Sequence, residues 1–420
     1  MFLGIGFIMS IGMILLLGFL IGALLNKVKI PGLVGMIILG LVLGPYCLAW
    51  IDPSVLNISG ELRQIALIII LTRSGLNLDI KKLKEIGRPA ILMCFIPATF
   101  EIVGVALASY FLLDLSIFES ILLGTVLGAV SPAVVTPRMI KLIEKNKSEH
   151  SVPEIILAGS SADDIYTIIL FYVFLGLVKN NTFDYVSILN IPGSIILGIL
   201  LGIGVGFLLS YIFKKIKLNT TIEILIMLSA SFLMIGIENI MKEYTPVQIS
   251  ALLGIMVVGM IILFKNKDEA KQISNGYNSI WKFFEIILFV LVGAKLNFST
   301  MGAEAGMAVL VLLIGLAFRT CGVLCCLIKT NLNWKERIFA IISYLPKATV
   351  QASIGGIALD QGLACGNIVL MVSVLSILIT APIGALLIDN LGDYLLYGKS
   401  IKEPIEDQPE EQKQLVTQKA

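Results

Sequence analysis

Charged residues are scarce in this sequence, and histidine occurs once. Only 14% of the 420 residues are Asp, Glu, Lys or Arg and 57% are hydrophobic, whereas soluble proteins carry roughly 25% charged residues. This scarcity excludes a soluble globular protein and indicates a polytopic membrane protein. A nucleic-acid partner is also excluded, because the cations are scattered and the formal net charge is only +2.

Motifs for metal or thiol chemistry are missing as well. The sequence has no CxxC pair, and its six cysteines lie in or beside apolar segments, which predicts a packing role. The single histidine, His150, has no His or Cys neighbours. It lies on a predicted cytosolic loop, either as a solvated side chain or as a contributor to pH sensing. We therefore expect no cofactor and no resident metal.

Apolar segments of membrane-spanning length fill the chain instead. The first is interpreted as an uncleaved span, because it is longer than a signal peptide core and lacks a basic start. A polar tail follows the last segment and is predicted to be disordered. The thirteen predicted segments are 3–26, 31–50, 61–76, 88–113, 117–141, 154–178, 192–214, 220–241, 246–264, 275–297, 302–328, 337–358 and 366–394.

The loops between these segments alternate in charge. Every second loop holds two to four Lys or Arg residues, as at 81–88, and the loops between them hold one lysine or none. Positively charged loops favour the cytosolic side of a membrane. The bias predicts an external N-terminus and a cytosolic C-terminus in a bacterial-type plasma membrane.

This topology predicts an inverted repeat. Segments two to six begin inside and segments nine to thirteen begin outside, so two five-helix blocks run in opposite directions. The predicted division is an extra N-terminal span at 1–30, repeat one at 31–178, linking helices at 179–245, repeat two at 246–394 and the cytosolic tail at 395–420.

Each repeat has a proline interruption in its fourth helix. Pro132, Thr136 and Pro137 lie in SPAVVTP (131–137), and Pro346 lies in LPKATVQ (345–351). Proline removes a backbone donor, and paired interruptions at equivalent positions mark the midplane site of a transporter. The alternative is a pair of ordinary proline kinks without function.

Five ionisable residues fall well inside the predicted spans. Their depths, counted from the cytosolic ends of the spans, are about 13 to 20 Å, so they cluster near one plane of the membrane. Charges at that depth are costly and usually functional. Glu223, Glu238 and Glu285 lie closer to helix ends and are interpreted as interfacial. The five deep residues are Glu101, Asp163, Asp164, Arg319 and Lys347.

The adjacent aspartates predict ion exchange. Opposing effects of burial, mutual repulsion and nearby cations let such a pair titrate near neutral pH, where a carboxylate holds either a proton or a small cation. Arg319 needs a fixed partner, for which Glu101 is the candidate. Lys347 either neutralises the C-terminal ends of the broken helices or takes part in transport.

Several motifs together resemble those of the monovalent cation/proton antiporter superfamily. The similarity is to its two-aspartate branch, and within it to the sodium–hydrogen antiporter (NHA) group, and it covers nearly all of the chain except the tail. The motif LTRSGLNLD (71–79) is also similar to the family's sequences. The motifs that carry the resemblance are LGAVSPAVVTPRM (127–139), SADDI (161–165), LPKATVQASIG (345–355) and SILITAPIGALLI (376–388).

The resemblance implies a homodimer in the lipid bilayer. Each protomer would have a dimerisation domain and a six-helix core domain with two crossed broken helices, and transport would be elevator-like. Asp164 matches the family's essential cation- and proton-binding aspartate, and Asp163 matches its neighbour. Arg319 stands where many members have a lysine that pairs with the first aspartate. The resemblance therefore leaves Asp163 free to act as a second proton site, a cation ligand or neither.

The sequence as a whole predicts a secondary antiporter, not an enzyme, that exchanges Na⁺ or Li⁺ for H⁺. Ser131, Ser160 and broken-helix carbonyls are expected to complete an oxygen shell around a cation at Asp164 and Asp163. A potassium/proton antiporter or potassium-efflux protein of the same branch is the main alternative. An organic-anion symporter is disfavoured by the aspartates. An intramembrane protease is disfavoured because its two aspartates lie on separate helices. A structural or sensory membrane protein is the remaining alternative.

Overall fold

The computed structural model describes residues 6–78, 84–145, 152–180, 185–216, 218–245, 249–297 and 302–397. His150 and the tail from residue 398 onward lie outside the described residues. Within the described ranges all regular structure is helical, which confirms the predicted all-α class. In a bilayer a helix satisfies its backbone hydrogen bonds within one segment, and this favours helices for the apolar segments.

Nine helices form the first half of the chain. They are α1 (Phe7–Lys27), α2 (Gly32–Leu43), α3 (Pro53–Asn57), α4 (Ser59–Asn77), α5 (Arg88–Met93), α6 (Ile96–Leu112), α7 (Ile117–Leu127), α8 (Pro132–Lys145) and α9 (Val152–Asn180).

The second half continues with nine more. They are α10 (Tyr185–Lys215), α11 (Thr220–Tyr244), α12 (Ala251–Lys265), α13 (Lys267–Ala294), α14 (Gly302–Cys326), α15 (Trp334–Ser343), α16 (Thr349–Ile354), α17 (Ile357–Asp360) and α18 (Gly366–Tyr397).

Each of the thirteen predicted segments overlaps one helix or two or three consecutive helices, and the segment at 337–358 overlaps α15, α16 and α17. Within the described part of the chain, nine stretches are long and apolar enough to cross a membrane, and α2 and α12 are shorter apolar helices. The stretches at Arg88–Leu112 and Ile117–Glu144 each contain two helices. The predicted multi-pass architecture is therefore confirmed.

The two interrupted helices begin in the same way. Ser116 and Glu119 form a capping box at the start of α7, and Asn333 and Glu336 form one at the start of α15. A capping box satisfies two backbone donors that a helix start leaves unpaired. The capping boxes therefore fix the residues at which α7 and α15 begin.

Both helices then break at the predicted places. The chain leaves α7 after Leu127 and starts α8 at Pro132, whose fixed φ suits a first helical position. In the other repeat the chain leaves α15 after Ser343 and starts α16 at Thr349. The two interruptions touch, since the backbone N–H of Ser131 donates to the carbonyl of Pro346 at 2.8 Å. The crossing of two broken helices is thus present.

The helices pack in two groups, which we call the broken-helix bundle (α5–α9 and α14–α18) and the flanking bundle (α1, α2, α4 and α10–α13). The most extensive helix contact within the broken-helix bundle is between α6 and α14, and within the flanking bundle it is between α10 and α12. Between the bundles, α16 contacts α4 and α13, and α2 contacts α18. The broken-helix bundle comprises six of the thirteen predicted spans, the number expected for the core domain.

Glycines allow α10 and α12 of the flanking bundle to approach each other closely. A side chain at Gly202 would meet the backbone of Gly254, and one at Gly198 would meet the backbone of Ser250. The spacing of Gly198, Gly202 and Gly206 on α10 therefore serves helix packing, as such spacing does in other membrane helices.

Candidate functional site

Asp163 and Asp164 lie side by side in the middle of α9, and both are fully buried. The hydroxyl of Thr167 donates to the backbone carbonyls of both residues, at 3.1 and 3.0 Å. Adjacent residues on a helix point about 100° apart. The two carboxylates therefore meet different surroundings.

The carboxylate of Asp163 is held by two donors. Its Oδ2 accepts from the backbone N–H of Val130 at 2.8 Å and from Nη2 of Arg319 at 2.9 Å. Val130 lies in the interruption between α7 and α8. Asp163 thus links α9 to the broken helix of repeat one and to α14 of repeat two.

The guanidinium of Arg319 binds the carboxylates of both Glu101 and Asp163. Its Nη1 donates to Oε2 of Glu101 at 2.6 Å and to the carbonyl of Gly128 at 2.5 Å. The ring of Tyr344 lies 5.2 Å from the guanidinium carbon. The predicted pairing of Glu101 with Arg319 is confirmed. The expectation that this pairing leaves Asp163 free is wrong, because a guanidinium offers donors in several directions at once.

The ammonium of Lys347 also binds Glu101. Its Nζ donates to Oε2 of Glu101 at 2.5 Å, and its backbone N–H donates to the hydroxyl of Thr380 at 2.9 Å. Lys347 therefore pairs with a carboxylate. We call Glu101, Asp163, Arg319 and Lys347 the buried charge cluster; its two carboxylates and two cations balance.

The remaining predicted residues lie around the crossing. Pro132 opens α8, and Thr136 and Pro137 lie one turn further along it. Pro346 lies at the crossing itself, where its carbonyl accepts from Ser131. Ser160 lies one turn before Asp164 on α9, and its hydroxyl donates to the carbonyl of Leu157 at 3.2 Å.

Three buried side-chain oxygens on α9 and at the start of α8 have no hydrogen-bond partner within the described ranges. Asp164 has no ion pair there at 4.0 Å or less, so its charge lies outside the balanced cluster. Carboxylate and hydroxyl oxygens are ligands that hard cations prefer. The three are Oδ1 of Asp163, Oδ1 of Asp164 and Oγ of Ser131.

Two residues near the site were not among those predicted from the sequence. Gln351, on α16, donates to carbonyls at the end of α7. Arg73, on α4 of the flanking bundle, interacts electrostatically with Glu285 and Asp164 and lies 5.5 Å from the ring of Trp281. Both stand within the quoted motifs LPKATVQASIG and LTRSGLNLD, which is the one signal that could have found them.

Known proteins share both the sequence and the fold of this chain. The family model described as "Sodium/hydrogen exchanger, transmembrane" matches residues 12–390. The chain belongs to this family. The exchanger is 32% identical over 396 residues to human "Sodium/hydrogen exchanger 9B2", covering 89% of the chain and 72% of the relative. It is 33% identical over 356 residues to human "Sodium/hydrogen exchanger 9B1", covering 80% and 67%.

A solved structure supports the fold of the exchanger. The sodium proton antiporter MjNhaP1 from Methanocaldococcus jannaschii superimposes with a TM-score of 0.78 at 18% identity, covering 92% of this chain and 98% of that one. At this identity the likeness shows the fold alone. Together, family and fold confirm the resemblance to monovalent cation/proton antiporters, and cation/proton antiport across a membrane is the activity class of the exchanger.

Among the described residues no group of three or more His, Cys, Asp or Glu side chains could hold a metal ion. The names of the relatives, which describe exchangers, agree with the prediction of a transporter.

Proposed function

We propose that this exchanger carries Na⁺ or Li⁺ in one direction and H⁺ in the other, with both ions competing for Asp164. The observation that carries the proposal is the buried Oδ1 of Asp164, which has no hydrogen-bond partner among the described residues. A bare carboxylate in such a place is costly. Binding of a proton or of a small cation removes that cost, and the two cannot bind together.

The buried charge cluster supports the choice of Asp164 over Asp163. Asp163 already receives two hydrogen bonds, one of them from Arg319, whereas Asp164 receives no ion pair within the described ranges. We assign Asp163 the role of a partial ligand through its Oδ1, together with Oγ of Ser131. Ser160 remains a predicted ligand that would need to turn its hydroxyl away from Leu157.

The choice of sodium or lithium rests on the ligand chemistry and on the family. The relatives are named sodium/hydrogen exchangers, and the unpartnered oxygens include two carboxylates of high charge density. The alternative is K⁺/H⁺ antiport or K⁺ efflux by the same site. Competition between ions separates the two, because K⁺ should compete with Na⁺ only under the alternative.

The proposal includes movement of the broken-helix bundle against the flanking bundle. The broken-helix bundle would carry the site across the membrane as an elevator, within a homodimer. The predicted topology, with the N-terminus outside and the C-terminus in the cytosol, belongs to the same proposal. The bacterial plasma membrane stays a prediction from the sequence, and the relatives named above are human proteins.

Exchange in proteoliposomes tests the proposal. We expect Na⁺- and Li⁺-driven proton movement with the wild type and none with Asp164→Asn. Asp268→Asn is a matched control, since Asp268 is exposed in the first turn of α13 and lies outside the site. Exchange at the wild-type rate in Asp164→Asn would remove Asp164 from the mechanism. Reversal potentials measured with Na⁺, Li⁺ and K⁺ give the ion preference and the charge stoichiometry.

Competition between Na⁺ and H⁺ at Asp164 predicts that the KM for Na⁺ depends on pH, which the same assay measures. Because cation binding displaces a proton, raising the pH favours the cation, and lowering it favours the proton. While Asp164 is mostly protonated, the KM for Na⁺ should fall by up to about tenfold per pH unit, as linkage of one proton requires. A KM that does not change with pH would argue against a shared seat.

A further inference from the structure

Gln351 lies where the two broken helices cross. Its side chain is fully buried on α16, and a primary amide offers two N–H donors and one acceptor oxygen. Nε2 donates to the carbonyls of Ala129 at 2.9 Å and Val126 at 3.1 Å, and lies 3.5 Å from the carbonyl of Leu127. Oε1 accepts from the backbone N–H of Ala348 at 2.9 Å. One side chain therefore ties the end of α7 to the start of α16.

The carbonyls that Gln351 engages are unusual. The last four carbonyls of a helix have no partner inside the helix. At a broken helix these groups point into the protein, and in transporters such carbonyls coordinate cations. Here Val126 and Ala129 are bonded by Gln351, and Gly128 is bonded by Arg319. Each of these three carbonyls therefore already accepts a hydrogen bond from a side chain.

Among the described residues, three buried side-chain oxygens on α9 and at the start of α8 have no hydrogen-bond partner. Within the described ranges they are Oδ1 of Asp163, Oδ1 of Asp164 and Oγ of Ser131. Selectivity among cations depends on the number of ligands and on their field strength. Few ligands that include two carboxylates favour a small ion, whereas added carbonyls favour a larger one. A side chain that keeps the broken-helix carbonyls away from the cation therefore affects which ion binds.

We propose that Gln351 is a positioning residue that sets ion selectivity by withholding the carbonyls of Val126 and Ala129 from the transported cation. This inference rests on the proposed function, and it assigns the preference for Na⁺ and Li⁺ over K⁺ to one neutral side chain. Loss of its hydrogen bonds frees the carbonyls of Val126 and Ala129 at the crossing. The site then gains weak ligands and accepts K⁺.

Three substitutions separate the hydrogen bonds from the volume of the side chain. Gln351→Met keeps the length and removes both donors, Gln351→Ala removes the side chain, and Gln351→Glu keeps the shape but donates nothing when ionised. Ser353→Ala is the matched control, because Ser353 is buried on the same helix and its hydroxyl donates to Thr349 within that helix.

The measurement is the KM for Na⁺, Li⁺ and K⁺ in proteoliposomes, together with the thermal shift that each ion produces in the purified protein. We expect the ratio of the KM for K⁺ to the KM for Na⁺ to fall at least about tenfold in Gln351→Met and Gln351→Ala. A change of this size corresponds to the free energy of one or two hydrogen bonds. Ser353→Ala should keep the wild-type ratio. The thermal shift reports binding even in a variant that transports slowly.

The outcomes distinguish this inference from the proposed function. A wild type without Na⁺/H⁺ exchange overturns the proposed function. A wild type that exchanges Na⁺, with Gln351→Met and Gln351→Ala showing an unchanged ion ratio, overturns the role of Gln351 alone. A fall in the turnover rate with no change in the ratio of the KM values also contradicts a role of Gln351 in selectivity, because loss of a purely structural residue would slow transport of every ion alike.

Discussion

Two clusters of paired charges in this exchanger differ in burial and in balance. The buried charge cluster lies at the crossing, with every member at most 1% exposed. The second, which we call the rim charge cluster, consists of Arg63, Lys295 and Asp360. Asp360 pairs with Arg63 and, at 2.5 Å, with Lys295, and both Asp360 and Lys295 keep more than a fifth of their side-chain surface exposed.

The difference concerns what surrounds each charge. In the buried charge cluster two carboxylates match two cations, because the interior solvates an excess charge poorly. The rim charge cluster has two cations for one carboxylate, and water can solvate the excess. Under the proposed function, the charge balance inside the buried charge cluster leaves the neighbouring Asp164 available for a moving ion. Substitutions in the two clusters should therefore have very different effects.

The largest effect is expected at Glu101. Glu101→Gln removes the carboxylate that pairs with both Arg319 and Lys347 and leaves a buried cation without a partner. The loss should be about 3 to 5 kcal/mol of stability, read as a drop in thermal unfolding temperature in detergent. The double variant Glu101→Gln with Lys347→Met restores the balance and should recover part of the loss. A double variant no more stable than the single one would contradict charge balance as the cause.

A smaller effect is expected at Asp163. Asp163→Asn removes one charge but leaves Arg319 bonded to Glu101 and to the carbonyl of Gly128. Stability should fall by about 1.5 to 3 kcal/mol, the range for a hydrogen bond to a charged group. Unfolding temperatures for Asp163→Asn and Glu101→Gln, measured side by side, check the order. Asp163→Asn should still exchange Na⁺ with a raised KM, and complete loss of exchange would show that Asp163 itself carries a proton or the cation.

In the rim charge cluster, Arg63 should contribute more to stability than the partly exposed residues that surround it, because its own side chain is buried. Its side chain is 2% exposed, and it donates to the carbonyl of Ser59 at 3.2 Å as well as to Asp360. Arg63→Met should cost about 1 to 3 kcal/mol, through the acceptors left unsatisfied, and thermal unfolding in detergent measures the loss. A loss as large as that at Glu101 would erase the distinction between the clusters.

The smallest effect is expected at Lys295. Its ion pair with Asp360 is exposed to water, and such pairs contribute about 0 to 1 kcal/mol. Lys295→Met should leave the unfolding temperature and the KM for Na⁺ almost unchanged. Salt provides an independent check, because it should weaken the Lys295 pair and leave the buried charge cluster unaffected.

Part of this site was predictable from the sequence. Charges inside apolar spans are rare and must find partners, which is why the sequence alone indicates the pairing of Glu101 with Arg319. The proline interruptions were also predictable, because proline removes a backbone donor at a fixed position. The all-helical fold follows from the length and spacing of the apolar segments.

The remaining contacts depend on how the helices cross. Arg319 reaches Asp163 across 156 residues of sequence, and no local pattern shows which of its donors meets which acceptor. Gln351 is neutral, so it does not stand out in an apolar span as a charge does. Arg73 lies near the end of its helix and resembles an interfacial cation until α4 and α9 are placed together.

The crossing has a consequence for how the chain is made. The carbonyl of Ala129 is bonded by a side chain that follows 222 residues later, and the N–H of Ser131 is bonded by Pro346. Until that part of the chain has been synthesised and inserted, the first interruption stands in the membrane with unpaired backbone groups, each costly in lipid. The nascent first half must therefore be sheltered from lipid, by insertion machinery or by water. The backbone groups of the first interruption therefore find these partners only after the second broken helix has reached them.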